Sequence, residues 1–206
     1  MKRNSKKHNS YFGNVEKNKN SNEKKFQFNN SFLKTNQILL VGKHPILSAL
    51  KNRKRKIHYL ITIEANYSKW KDEINKLKLK LDIVLKTREE LDKINNYNPH
   101  QNVILIAEPL QRLSMDEFLS YRRFNDKVPI RLILLDEVTD PQNVGAIIRS
   151  ALAFKMDGLA LSQRNSPQET SLLSKASSGA IEKLQIIELS NMSREIKKLQ
   201  KFNFSI

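Results

Sequence analysis

The sequence predicts an α/β protein: a small α/β domain, then an incomplete parallel-sheet domain, with a disordered basic N-terminal arm in front. Three observations carry this. From residue 37 onward, short apolar runs alternate with helical patterns, the arrangement that builds βαβ units. Within that region, residues 131–154 read as a buried strand, a tight turn at Asp140-Pro141 and an amphipathic helix, which gathers polar groups at a strand's carboxyl end. Residues 1–35, by contrast, are rich in Lys, Asn and Ser and keep no helical or strand period.

Composition narrows the function classes. A chain of 206 residues can bury one good core or two small ones, and 39% hydrophobic content suffices once a polar arm is set aside. The formal charge of +16 suits a polyanionic partner, because cations that neutralise phosphates release condensed counterions. The abundance of Lys, Asn and Ile leaves compositional drift as the source of part of that excess. There is no cysteine, which removes disulfides, thiolate zinc sites and cysteine nucleophiles. The five glycines form no G-x-G pair, so a Rossmann-type cofactor loop is absent. His44, His58 and His100 show no ligand spacing, and no metal site is expected. No apolar run approaches a membrane span and the start is too polar for a secretory signal, so the expectation is a cytoplasmic protein without a membrane partner.

The elements follow in order. The arm, 1–35, scatters Tyr11, Phe12, Phe26, Phe28 and Phe32 among its cations; it can track a phosphate backbone and stack on bases, or simply keep the chain soluble. The small domain, 36–110, predicts a strand at 38–41, a helix at 45–50 whose first turn tolerates Pro45, and a strand at 57–63. A helix at 69–81 with Trp70, Ile74, Leu77 and Leu81 on one face leads to a strand at 82–85. Thr87 and Glu90 have capping-box spacing for the next helix, and residues 102–107 close the unit as a strand. Between the first helix and the second strand, Arg53, Lys54, Arg55 and Lys56 form either a phosphate clamp at a helix end or a solvated turn. Residues 111–129 read as a linker with a short helix through Phe118, Leu119 and Phe124, and as a hinge. The last region, 130–206, predicts a strand at 130–135 as the central strand of its sheet, the helix after Asp140-Pro141, a strand at 158–162, a helix at 169–176, a strand at 185–189, a helix at 192–200 and the start of another strand at 202–206.

In the helix of 143–154, Asn143 reads as the N-cap, with the N–H groups of Val144, Gly145 and Ala146 open to an anion. Val144, Ile147, Ile148, Ala151 and Leu152 form the core stripe, and Arg149 projects off it with Gly145 and Ala153 one turn to either side. From spacing alone, an ordinary cap and a solvated arginine are the favoured reading of these residues over a functional site.

The run Leu135-Asp136-x-Val138-x-Asp140-Pro141-x-Asn143-x-Gly145-Ala146-Ile147-x-Arg149-x-Ala151-x-Ala153-Phe154 closely resembles the first motif of the SpoU (TrmH-like) RNA 2′-O-ribose methyltransferases, of the knotted SPOUT superfamily. It departs at Lys155, where that family usually has a glycine; Gly158 follows three residues later. Ser174-Lys175-Ala176-Ser177-Ser178-Gly179-Ala180-Ile181-Glu182 resembles the family's K-x-S-x-G-A stretch. Gly42-Lys43-His44-Pro45-x-x-x-Ala49-Leu50 and His100-Gln101-Asn102-Val103 resemble the small substrate-binding domain of its RlmB-like branch.

The resemblance implies several things. The reaction is S-adenosylmethionine-dependent methylation of a ribose 2′-hydroxyl in rRNA or tRNA, with rRNA favoured by the small domain. Asn143 and Arg149 take the catalytic positions, Arg53, Lys54, Arg55 and Lys56 become RNA contacts, and the full-length form is a homodimer. A guanidinium stays protonated, so Arg149 orients phosphate and hydroxyl rather than acting as an ordinary base. The two later motifs that build the family's cofactor knot are absent from these 206 residues. The expectation is therefore a C-terminally truncated form that does not itself bind S-adenosylmethionine and has a marginal second domain. A non-catalytic RNA-binding remnant is the alternative.

Overall fold

The computed structural model of the chain describes residue 33 and residues 36–125, 129–164 and 166–206. The expected arm lies outside the described residues except for Leu33, and so does the side chain of Phe124.

The first unit alternates β1 (Ile38–Val41), α1 (Lys43–Lys51), β2 (Ile57–Thr62), α2 (Glu64–Lys76), β3 (Asp82–Leu85), α3 (Arg88–Ile94) and β4 (Val103–Ala107). The strands form one sheet in the order β1-β4-β2-β3, with β4 antiparallel to both neighbours and β2 parallel to β3 across the α2 crossover. Every residue of β4 is buried, as its unbroken apolar run requires of a strand covered on both faces. Val103, Leu105 and Ala107 face Ile46, Leu50, Trp70 and Ile74 of α1 and α2, while Ile104 and Ile106 face Leu91 of α3. The Thr87 capping box forms as expected: Thr87 Oγ accepts the Glu90 N–H at 3.3 Å, and the Glu90 carboxylate accepts the Thr87 N–H at 2.8 Å. Helix α2 starts five residues before the expected point, at Glu64, and stops at Lys76. Lys78 turns left-handed there, which returns the Leu79 N–H to Ile74 O and brings Leu77, Leu79 and Leu81 onto the core from outside the helix.

The second unit holds β5 (Leu113–Ser114), α4 (Met115–Asn125), β6 (Leu132–Leu135), α5 (Pro141–Ala153), β7 (Gly158–Ser162), α6 (Ser171–Ala176), a 3-10 turn (Ala180–Glu182), β8 (Gln185–Leu189) and α7 (Met192–Lys201). Its four strands are all parallel, in the order β5-β8-β7-β6. Helices α5 and α6 cover one face through Val144, Ile148, Ala151 and Leu173; α4 and α7 cover the other through Phe118, Leu119 and Leu199.

Three expectations are corrected here. The linker contributes β5, whose two residues pair with β8, so it is stitched into the second sheet instead of forming a free hinge. Strand β6, expected at the centre, lies at the sheet's edge among the described residues. No strand forms at 202–206: Phe202 caps α7, Asn203 turns left-handed, and the Phe204 N–H bonds back to Leu199 O. Helix capping outcompetes the alternating pattern at that point.

Candidate active site

The strand, turn and helix of 131–154 form as β6 and α5, but the helix opens earlier than expected. Asp140, not Asn143, is the N-cap: its carboxylate accepts the Gln142 N–H at 3.0 Å, and Pro141 occupies the first helical position. Proline needs no partner there and its φ is already helical, so Asp-Pro acts as cap plus first turn. The Val144 N–H is consequently spent on Asp140 O, which closes that part of the expected anion site. Asn143 is exposed in the first turn and its side chain has no hydrogen-bond partner among the described residues.

Arg149 is likewise exposed and unpartnered among the described residues. It lines a groove of about 260 Å³ with Ser48 of α1, Ser177, Ser178, Gly179 and Lys183. Asn143 and Arg149 are six residues apart, which on an α-helix is about 9 Å along the axis and about 120° around it. They share a helix, but not one small patch of it.

Gly145, one turn before Arg149, serves helix packing and not the guanidinium. A Cβ at Gly145 would lie 2.5 Å from Ala176 Cβ and 2.9 Å from Ser177 N, so this glycine lets α6 pack directly on α5 and delivers the 177–179 turn to the groove. Gly179 has φ +81°, and a Cβ there would come 2.3 Å from Ser48 Oγ. The glycine is needed both for its left-handed backbone and for the approach of α1. The groove therefore lies on the seam between the two sheet units.

Arg55 fastens that seam. Its side chain is 0% exposed and reaches out of the first unit to two carboxylates of the second, Glu169 (5% exposed) and Glu182 (2%). The guanidinium bonds Glu169 Oε1 at 2.6 Å and Oε2 at 3.1 Å, Glu182 Oε1 at 2.5 Å, and Glu108 O at 2.7 Å. The Leu110 N–H donates to Glu169 at 2.7 Å and Asn52 Nδ2 to Glu182 at 2.8 Å, so the remaining lone pairs find donors. Burial alone would lower the Arg55 pKa, but the hydrogen bonds and charges of Glu169 and Glu182 outweigh it and hold the group above its ordinary value.

This overturns Arg55 as an RNA contact, since a side chain enclosed by two carboxylates has no surface for a phosphate. Its sequence neighbours stay exposed with partners of their own: Arg53 donates to Leu77 O at 3.0 Å, Lys54 Nζ sits 6.0 Å from the centre of the Tyr121 ring, and Lys56 pairs with Glu108 at 2.7 Å. The Lys56 hydrogen bond, aided by its charge and by His58, pulls the Glu108 pKa down. Sequence reasoning missed Glu169 and Glu182 because they stand 114 and 127 residues from Arg55. The one available signal was Glu182 at the end of the K-x-S-x-G-A stretch. His100 is buried and structural: Nε2 lies 2.9 Å from Asp92 Oδ1, and Nδ1 accepts the Asn102 N–H at 3.1 Å, which holds the turn before β4.

The groove at Arg149 does not fit S-adenosylmethionine on its own. About 260 Å³ falls short of the roughly 300–1,000 Å³ of small-molecule pockets, and its charged lining residues, Arg149 and Lys183, are both cations facing a ligand with a positive sulfonium.

Comparison with known proteins accounts for both units. The SpoU rRNA Methylase family matches residues 131–206, and the RNA 2′-O ribose methyltransferase substrate binding family matches residues 39–113. The mitochondrial rRNA methyltransferase 1 of Schizosaccharomyces pombe is 30% identical over 182 residues, covering 77% of this chain and 60% of that protein. The putative TrmH family tRNA/rRNA methyltransferase of Staphylococcus aureus (strain COL) is 29% identical over 168 residues, covering 81% and 66%. The chain thus spans less than two thirds of the length of these relatives. Among solved structures, the SpoU methyltransferase AviRb from Streptomyces viridochromogenes, in complex with AdoMet, superposes with a TM-score of 0.63 at 19% identity over 82% of this chain and 61% of that one, which shows a shared fold. With the substrate-binding unit and the methylase unit matched in the same order along one chain, the protein belongs to the SpoU family of RNA methyltransferases.

Proposed function

We propose that this chain serves S-adenosylmethionine-dependent 2′-O-ribose methylation of ribosomal RNA in the cytoplasm, as a homodimer, with Arg149 and Asn143 at the reacting nucleotide. The observation that carries the reading is Arg149 itself: a guanidinium left without a partner on the motif helix, beside a groove that the RNA-binding unit helps to wall. Its planar fork suits two oxygens of one phosphate, and its fixed charge favours the ribose oxygen as that hydroxyl loses its proton. Fixing one phosphate against the helix would also restrict how its ribose hydroxyl is presented. Asn143 offers an amide that both donates and accepts. About 9 Å of helix separates it from Arg149, so the two would reach the reacting nucleotide from different sides, or from the two copies of a dimer. Arg53, Lys54 and Lys56 supply phosphate contacts on the first unit.

Mapping ribose 2′-O-methylation across the RNA of cells with and without the gene tests the reading. Loss of a ribosomal mark in the null strain, reproduced by Arg149→Ala, supports it; an unchanged ribosomal map overturns it. A second reading, RNA binding without methyl transfer, draws on the small groove, which does not fit the cofactor. It predicts an unchanged map while RNA still co-purifies with the protein.

A further inference from the structure

Helix α7 sets its charges in a line. Met192 and Leu199 pack against the sheet, and Arg194, Lys197 and Lys201 stand on the exposed side at i, i+3 and i+7. All three are exposed, and none of their side chains has a hydrogen bond or ion pair among the described residues. Lys198, by contrast, is engaged by Asp116 and Glu195. A shallow groove of about 580 Å³ follows the helix, lined by Asn191, Ser193, Arg194, Lys197, Lys198 and Lys201, without a carboxylate or an apolar residue. The N-cap fixes its start: Asn191 Oδ1 accepts the Arg194 N–H at 2.9 Å.

Topology relates this line to Arg149. Strands β6, β7 and β8 are parallel, so the first turns of α5 and α7 emerge at the same carboxyl edge of the sheet. Helix α5 then runs over one face, against Leu159 and Leu161, and α7 over the other, against Ala160, Ile187 and Leu189.

We propose that Arg194, Lys197 and Lys201 form a phosphate-backbone track that holds substrate RNA on the sheet face opposite Arg149, so that the RNA passes around the carboxyl edge. The track spans seven residues, about 10.5 Å of helix, so its three cations can each meet a phosphate of one strand. This rests on the RNA-directed reading above and adds a surface to it. Charge selects the ligand: a groove whose charged lining residues are all cations, on a chain of net charge +16, fits a polyanion, and the family supplies RNA as that polyanion.

The test is the variant R194Q/K197Q/K201Q in the full chain, with circular dichroism to confirm that α7 persists. Binding of a fluorescein-labelled ribosomal RNA fragment is followed by anisotropy across a potassium chloride series. At about 0.7 per neutralised phosphate on single-stranded RNA, the log–log salt slope should fall by about 2, and affinity at about 0.1 M salt should fall about 100-fold. RNA carrying 4-thiouridine should cross-link to the wild-type peptide that contains residues 192–201. An unchanged slope, or cross-links confined to other segments, overturns the track while the RNA-directed reading stands. A wild-type chain that binds no RNA, or binds only anionic lipid vesicles, overturns both.

Discussion

Replacing Arg55 with alanine should be among the most damaging single changes in the protein. It leaves Glu169 and Glu182 side by side at 5% and 2% exposure with no cation between them, and it orphans Glu108 O. Breaking a buried pair by removing one partner costs about 3–5 kcal/mol. With a urea slope of about 2 kcal/mol per molar, the unfolding midpoint should drop by about 1.5–2.5 M. Trp70 makes the experiment informative: it is the sole tryptophan and is buried in the first unit, so its fluorescence follows that unit while far-ultraviolet circular dichroism follows both. In the wild type the two signals should coincide; in Arg55→Ala they should separate as the seam opens. Adding Glu169→Gln and Glu182→Gln should recover most of the loss, because neutral amides no longer repel. A midpoint shift under about 0.5 M for Arg55→Ala, about 1 kcal/mol, would refute the buried clamp and reduce it to a surface pair.

Further outcomes follow from the same structure. Arg149→Ala should erase the methyl mark and change unfolding by no more than about 0.5 kcal/mol, because the side chain is exposed and unpartnered; Arg149→Lys should be nearly as damaging to the mark if the planar fork matters. Gly179→Ala should cost about 2–4 kcal/mol from its left-handed backbone and its contact with Ser48, and in a Ser48→Gly background only the backbone share, about 1–2 kcal/mol, should remain in a double-mutant cycle. Thr87→Ala should cost about 1 kcal/mol through loss of the capping box, read in the same urea titration. Acid should weaken the fold in a definite direction. The Glu90 pKa is held below 4.5 by the Lys86 hydrogen bond and then by the Thr87 N–H, the Glu117 pKa by the Ser114 N–H and hydroxyl, and the Glu108 pKa by Lys56. Groups depressed in the folded state stabilise it above their unfolded pKa and lose that effect as pH falls through the folded one. The urea midpoint should therefore show no loss from these groups between neutrality and about pH 5, and a decline below about 4.5.

What could be read in advance depended on how local the cause was. The capping box at Thr87, the α5 core stripe and the buried run of β4 are set within one turn or one strand, and each formed where the pattern placed it. Asp140-Pro141 was legible as a boundary but was assigned the wrong role, because the same dipeptide serves as a turn or as a cap with its first residue. Strand β5 has two residues and exists only because β8 offers an edge, so no sequence window could show it. The end of α7 was misread because Phe202, Phe204 and Ile206 alternate like a strand, while the left-handed Asn203 folds Phe204 onto Leu199. At the candidate site, Arg149 was visible as an arginine off the core stripe. The partners of Arg55 were not visible, since a cation among cations looks like surface until the fold brings acids to it.

That shared guanidinium also decides how the two units can be exchanged. A chimera that moves residues 38–107 into another scaffold carries Arg55 without Glu169 and Glu182, and leaves two buried acids in the donor. Transplanting the arginine with both acceptors, and with Ser48 matched to Gly179, keeps the joint whole. The seam therefore acts as a compatibility code of five residues, and pairs of units that satisfy it should assemble while mismatched pairs should not.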